Sequence, residues 1–341
     1  MSIPVANGQA LRLGRVRHWA TPSFGDLRSQ RVGRLFMAIV VCGMAVLFAR
    51  EMLVTWSVPD ADLLDPFNDA NTYRAAGERL NAGHQLYALE PGDRPVLLVA
   101  GYPVPLLSPP PVAAIWRPLA ALPFGFAVWV AAAWIALLGT IVYLVMRIGL
   151  PAAVVAAGLA FPIGEQLVAA NLTAFMPGAL VLVWVFRQHP RAGAIIGIMA
   201  GLKLAPAVMA AWFVGPHGAV GLAWVLAGGV LMAAVSVIGA GVTANVDYAS
   251  IVGTIPPSEM SLSGQTGIGW LSTATSGAGM LASALVWRQP RLSFVIGVAT
   301  LVLASPALHL TTLTLLLGAL APLIPEPAEV TVRPTRVVVG E

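Results

Sequence analysis

The sequence predicts an all-α, polytopic integral membrane protein, a helical bundle of about ten spans whose external first loop bears short amphipathic helices. Three observations predict it. Only 10% of the 341 residues are charged and 58% are hydrophobic, whereas a soluble domain carries roughly 25% charged residues. The mean hydropathy is +0.82. The apolar residues fall in many separate runs, with arginines gathered at their ends, as the positive-inside bias requires. That placement accounts for the net charge of +4, so the basic balance does not argue for a nucleic-acid partner. The one cysteine, Cys42, lies inside an apolar run and reads as a small packing residue rather than a thiolate or zinc ligand.

Residues 1–34 form a basic segment, with Arg12, Arg15, Arg17, Arg28, Arg31 and Arg34 preceding the first apolar run, Leu35–Ala49. The run starts late for a secretory signal, and no small-residue cleavage pattern follows it. It is therefore expected to be an uncleaved span with its N-terminus in the cytoplasm, the arginines also suiting anionic head groups. Residues 35–325 then make one transmembrane domain, within which 51–123 is the external catalytic loop with its interfacial helices and 242–267 a second external loop. Residues 326–341, with Arg333 and Arg336, form a cytoplasmic tail.

The first loop is acidic at its start, with Asp60, Asp62, Asp65 and Asp69. Within Thr72–Asn81, Tyr73, Ala76 and Leu80 share one face, which predicts a short amphipathic helix on the membrane surface ending near Gly83. Asp69 falls at or next to the start of that helix, where exposed backbone N–H groups favour negative charge. An ordinary aspartate pKa near ~3.9 keeps it ionised there. We read Asp69 as the catalytic group, beside the plainer reading of a helix-capping aspartate. Asp65 is the fallback, and Asp60 and Asp62 read as solvated loop charges.

Pro111–Leu122 is about 18 Å long at 1.5 Å per residue, too short for a ~30 Å hydrocarbon core. It reads as a partly inserted helix with Arg117 near the interface. The spans then follow in order: Phe124–Met146 inward to Arg147, Leu150–Phe161 outward, and Leu167–Phe186 back to the turn Arg187–Arg191. Ala192–Leu202 goes out, Ala205–Val214 returns to His217, and Gly218–Gly241 goes out to the second external loop. Gly269–Trp287 returns to Arg288 and Arg291, Phe294–Ser305 goes out, and Leu308–Ile324 returns.

Under this topology the polar residues away from the arginine turns all fall at external helix ends or in external loops. They are Asp69, Glu165, Gln166, Asn171, Lys203, Glu259, Ser261, Gln265 and His309. Such one-sided gathering suggests a single aqueous cavity opening outward. Lys203, in Gly201-Leu202-Lys203-Leu204-Ala205-Pro206, lies between two short runs. A lysine at mid-span costs roughly 2.5–3.5 kcal/mol on insertion scales. Two readings stand for it, a cation holding a phosphate at a broken helix and a side chain snorkelling to the head groups. Glu165, Gln166 and Asn171 read as sugar-binding groups or as groups satisfying a re-entrant turn, and His309 as a ligand or a satisfied buried histidine.

A set of motifs, in order, resembles glycosyltransferase family 87 of the GT-C superfamily. They are Asp69-x-x-x-Tyr73 with Ala75-Ala76, Leu80, Gly83 and Tyr87, then Pro109-Pro110 and Pro118-Leu119-x-x-Leu122-Pro123, and Gly193-x-x-x-Gly197 leading to Leu202-Lys203-x-x-Pro206. Ser261-Leu262-Ser263-Gly264 and Ser305-Pro306 complete the set, which covers residues 65–310. The chain departs from the family pattern at Ser108, which precedes the Pro-Pro pair, at Glu259-Met260-Ser261, and at Thr311-Thr312, where histidine is expected.

The resemblance implies inverting transfer of a sugar from a polyprenyl-phosphate donor to a glycolipid or polysaccharide acceptor on the outer face of the cytoplasmic membrane. Mannose is the first expectation and arabinofuranose the second. Asp69 would act as general base, with Lys203, Arg117 and His309 holding the donor phosphate. Tyr73, Tyr87, Glu165, Gln166, Asn171, Ser261 and Gln265 are the candidates for sugar or acceptor contact. Pro111–Pro123 and neighbouring spans would line a groove for the prenyl chain. A lipid phosphate is already a competent leaving group, so no cofactor or metal is expected. Besides membrane lipids and these substrates no partner is implied. Two other classes stay open, a transporter or flippase of lipid-linked sugar, for which no internal repeat is visible, and a non-catalytic assembly protein that keeps the fold.

Overall fold

The computed structural model describes residues 67–89, 91, 97–99 and 102–325. The basic N-terminal segment, the run Leu35–Ala49, Cys42, Asp60, Asp62, Asp65 and the tail 326–341 lie outside the described residues.

The described architecture is helical apart from one small antiparallel hairpin, Leu97–Val99 with Tyr102–Val104, in which Leu97 faces Val104. The first helix, Asn68–Ala82, starts earlier than its apolar spacing predicts and stops at Gly83 in the left-handed conformation (φ 79°). Its inner face buries Ala70, Tyr73, Ala76 and Leu80 against the next helix, Pro110–Ala120. Arg79, on the same helix, is buried but satisfied, its guanidinium donating to the carbonyls of Gln85 (2.8 Å) and Ala88. Pro110 and Pro111 open the second helix, where their missing N–H groups cost nothing.

Gly125–Ile148 follows, 24 residues and ~36 Å long, burying Trp129, Ala133, Leu137, Ile141 and Leu144 at helical spacing. By length and composition it and Ala205–Val252 are apolar enough to cross a membrane, although the second is broken at Gly218 and Gly241 and is not one straight rod. The bent pair Leu150–Gly158 and Ala160–Ala169 makes a third if counted as one span, and shorter apolar helices of 10–17 residues complete the bundle.

Proline chemistry explains the breaks. Pro162 has no N–H for the Gly158 carbonyl four residues back, and the outgoing segment ends at Gly158 and bends 66° into Ala160–Ala169. The expected single span Leu150–Phe161 is therefore a broken pair, and the return begins at Leu172 rather than Leu167. Pro206 likewise cannot bond the Leu202 carbonyl. The helix Gly193–Leu202 ends there, and Lys203 takes an extended conformation before the short 3-10 turn Ala205–Val208.

The following helix, Met209–Val252, departs from helical geometry at Gly218 (φ 56°, ψ −142°) and Gly241 (φ 88°, ψ 165°). A Cβ placed on Gly221 would lie 3.5 Å from the Phe213 carbonyl oxygen, whereas eight residues of straight helix span ~12 Å. The chain therefore doubles back at Gly218, and its two legs are the runs expected to end at His217 and Gly241. The outgoing leg packs backbone to backbone on Gly193–Leu202, so that a Cβ on Gly197 would stand 2.0 Å from the Val225 carbonyl oxygen. Beyond the second break the expected external loop 242–267 is helical as far as Val252 and again over Leu262–Thr266. Helices Leu271–Leu285 and Pro290–Leu303 form a hairpin tied by the buried Ser283 and Ser293 hydroxyls, 2.9 Å apart.

The last element, Leu310–Leu323, is a 3-10 helix throughout. Fourteen residues are long for this form, which usually runs three or four. At ~2.0 Å per residue it reaches about 28 Å, where an α-helix would reach about 21 Å.

One end of the bundle collects basic groups. The His217 ring nitrogen lies 2.7 Å from the Arg187 carbonyl, and the Trp212 indole donates to the Pro290 carbonyl at 3.1 Å, beside Arg288 and Arg291. The opposite end carries Asp69, Asn171, Lys203 and His309.

Candidate functional site

The start of the Asp69 helix is stitched to the end of Ala160–Ala169. The Phe67 N–H donates to the Val168 carbonyl at 2.7 Å, and the Phe67 ring packs on Phe126 (5.8 Å) and Trp134 (6.3 Å). Two indoles from Gly125–Ile148 hold the other side of this seam. Trp134 donates to the Leu167 carbonyl and Trp129 to that of Ala170, both at 2.8 Å. Phe67 (φ 64°) and Ala170 (φ 46°) are the only non-glycine residues with positive φ among the described residues, and they flank one seam. Strain of this kind costs on the order of 1–3 kcal/mol and persists where surrounding structure over-determines it.

Asn171, next to Ala170, is the hub of the cluster. Its side-chain oxygen accepts from the Thr173 N–H and from the Gln166 amide, both at 2.8 Å. Its amide nitrogen donates to the Thr311 hydroxyl at 3.3 Å, and a side-chain hydrogen bond joins it to Asp69. Gln166 is fully buried, and its own carbonyl oxygen has no partner. The Lys203 ammonium, freed by the Pro206 break, donates to the Thr173 hydroxyl at 3.2 Å. Asp69 feels the charges of Lys203 and His309 but, among the described residues, closes no direct ion pair with either. His309 is exposed, at the entrance to the last helix.

Asp69 lies in the first turn, half-buried, and Phe67 rather than Asp69 is the cap residue. The capping reading is therefore not what the helix uses. The expectation of an ordinary carboxyl pKa is also corrected. Burial pushes the Asp69 carboxyl up, opposed in turn by the Asn171 bond, Lys203 and His309. Tyr73, one turn on, is buried edge-on to Trp129 (6.1 Å), and its hydroxyl is raised by burial and by Asp69.

The structure therefore brings together Asp69, Tyr73, Gln166, Asn171, Lys203 and His309. Arg117 is held elsewhere. Its guanidinium bonds the Asn81 side chain (3.2 Å) and the Gly239 carbonyl (3.0 Å). Asn81 lies twelve residues and ~18 Å of helix beyond Asp69. Glu165 is exposed beside the buried Gln166. Ser261 is a buried helix cap, accepting from the Gly264 N–H at 3.0 Å and donating to the Ser258 carbonyl at 2.7 Å. Gln265 is exposed and reaches only the Met260 carbonyl, at 3.5 Å. Their loop nonetheless docks beside His309, with Ser258 bonded to the carbonyls of Pro306 (2.8 Å) and Leu308 (2.7 Å).

Sequence reasoning missed Thr173, Trp129 and Trp134, and noted Thr311 only as a departure from the family pattern. Asn171-x-Thr173 is a readable signal, since asparagine bonds the N–H two residues on. An apolar groove of about 490 Å³ lies between Gly125–Ile148 and Met176–Val185. It runs from Phe175, two residues past Thr173, towards Phe186 and is lined by Gly139, Tyr143, Ala179 and Leu182. The ensemble gathers an acid, an amide, an ammonium and an imidazole from four separate segments. Comparisons with protein-family models, with curated proteins and with solved structures give no match.

Proposed function

We propose that the chain is an inverting, polyprenyl-phosphate-sugar-dependent glycosyltransferase of the cytoplasmic membrane, built on a GT-C-like bundle of about ten spans. In this reading both termini are cytoplasmic and the Asp69 end of the bundle faces outward. The observation that carries it is the convergence of Asp69, Asn171, Lys203 and His309 from four separate segments at the end of the bundle opposite the arginines. Lys203 and Asp69 approach without neutralising each other, which leaves a cation for an anionic leaving group and a carboxylate for an incoming hydroxyl.

In the reaction the acceptor oxygen attacks the anomeric carbon as its proton passes to an Asp69 carboxylate oxygen. The bond from the anomeric carbon to the donor phosphate oxygen breaks, and that electron pair leaves on the lipid phosphate, which Lys203 stabilises. Asn171 orients Asp69 through its amide and is itself fixed by Gln166 and Thr311. The groove from Phe175 to Phe186, rather than Pro111–Pro123, suits the prenyl chain, because its lining is apolar and it starts at Phe175, two residues along the chain from Thr173. Mannose is the first choice of sugar and arabinofuranose the second, carried by the family resemblance. Transfer from a panel of polyprenyl-phosphate sugars by the purified, bilayer-reconstituted chain tests the reading. Asp69→Asn should lower turnover at least 100-fold; transfer by that variant at the parent rate would sink it.

A further inference from the structure

The polar wall that starts at Asp69 continues past Tyr73. The Tyr73 hydroxyl bonds the Ser108 side chain, and the Tyr87 hydroxyl donates to the Ser108 carbonyl at 2.8 Å. On its other side Tyr87 packs against Tyr248, with ring centroids 5.7 Å apart and planes inclined by 34°. Three of the chain's five tyrosines therefore stand in one row leading away from Asp69. Tyr248 follows Asp247 in the helical stretch beyond the Gly241 break, and Asp247 is close enough to Tyr87 to act on its hydroxyl.

Exposure divides the roles. Tyr87 is buried, whereas Tyr248 and Asp247 are half-exposed. Among the described residues neither the Tyr248 hydroxyl nor the Asp247 carboxylate has a hydrogen-bond partner. A ring pair that only packed would need neither a carboxylate nor a free hydroxyl at its rim. A flat aromatic face with a carboxylate beside it suits a neutral sugar. The C–H face of a pyranose lies on the ring, and its hydroxyls donate to a group that only accepts. Tyrosine also supplies that face at low conformational cost.

We propose that Tyr248 and Asp247, backed by Tyr87, form a carbohydrate subsite that holds the glycan of the acceptor with its reacting hydroxyl directed along the tyrosine row to Asp69. The assignment of the glycan to the acceptor rests on the glycosyltransferase reading. The binding itself needs no donor and is measured without one. Saturation-transfer NMR of the full chain in nanodiscs, with mannotriose and maltotriose as probes, tests it. The parent should bind at least one trisaccharide in the millimolar range. Tyr248→Leu, which keeps the apolar bulk against Tyr87, should weaken binding at least tenfold, and Asp247→Asn about fivefold, both with unchanged Tm. The same loss is expected whether the trisaccharide is free or carried on a lipid. Asp69→Asn should bind the glycan like the parent. No binding by the parent, or parent-like binding by both Tyr248→Leu and Asp247→Asn, overturns the subsite. Undiminished transfer by Asp69→Asn would overturn the catalytic reading instead and leave the measured subsite standing.

Discussion

Asp69 and Asn171 are joined side chain to side chain across a seam where each lies within two residues of a left-handed, non-glycine residue, Phe67 on one strand of the seam and Ala170 on the other. The geometry of the carboxylate is therefore set by two backbone positions that resist relaxation and by an amide held by Gln166, Thr173 and Thr311.

That contact sets a pH dependence. The competent form of Asp69 is the carboxylate, and burial raises its pKa above the ordinary ~3.9. Activity should thus climb with pH, with an acid limb lying above that value. Asn171→Ala removes a bond that lowers the Asp69 pKa, so the limb should move to still higher pH. Activity on the acid limb should fall several-fold more than activity on the alkaline plateau, as read from kcat/KM profiles. Superimposable limbs would show that Asn171 does not govern the base.

Lys203 is tested through the donor. A hydrogen bond to a charged group is worth about 1.5–3 kcal/mol, so Lys203→Gln should raise the KM for the lipid donor or lower kcat by roughly 10- to 100-fold. Lys203→Arg should restore only part of this, because the planar guanidinium does not reproduce a compact ammonium at the Thr173 hydroxyl. Unchanged donor kinetics in Lys203→Gln would remove it from the site.

The two left-handed residues separate strain from packing. Ala170→Gly relieves the backbone at φ 46° without losing a ring contact, and should keep or raise stability by roughly 0.5–1 kcal/mol. Phe67→Gly relieves a similar strain but deletes the ring held by Phe126 and Trp134, and should lose about 3 kcal/mol or more. Thermal unfolding in detergent compares the pair, and equal Tm shifts would show that the Phe67 ring is not what holds the seam.

Close helix contact gives a fourth test. A Cβ on Gly197 meets the Val225 carbonyl oxygen at 2.0 Å, backbone that cannot step aside alone. Gly197→Ala should cost about 1–3 kcal/mol, and Gly139→Ala, where nothing lies within 4 Å, close to nothing. A stable Gly197→Ala protein would mean that the two helices separate freely.

Much of this arrangement is legible in the chain. The face of Tyr73, Ala76 and Leu80 gives the first helix, and the break at Lys203 follows from Pro206, which has no N–H for the Leu202 carbonyl. Gly218 and Gly241 mark turns at the limits that the apolar runs suggest. The return at Leu172 is harder to read, because hydropathy is continuous across Ala169-Ala170 and Asn171 alone interrupts it. Trp129 and Trp134 carry no one-dimensional signal for donation to a carbonyl thirty or more residues away. The family resemblance sets Arg117 with the donor phosphate, but hydropathy does not say at which end of Asn68–Ala82 it docks. The contacts with Asn81 and Gly239 put it at the far one.

The last helix behaves as a screw whose thread pitch matters. In the 3-10 form, residues three apart stand in register, so Thr311, Thr314 and Leu317 form one edge, with Thr311 meeting Asn171 at its tip. Rewinding the fourteen residues Leu310–Leu323 to an α-helix would shorten the rod by about 7 Å and fan that edge out. A single residue inserted below Thr311 would turn the tip by about a third of a revolution and leave Asn171 facing a different side chain.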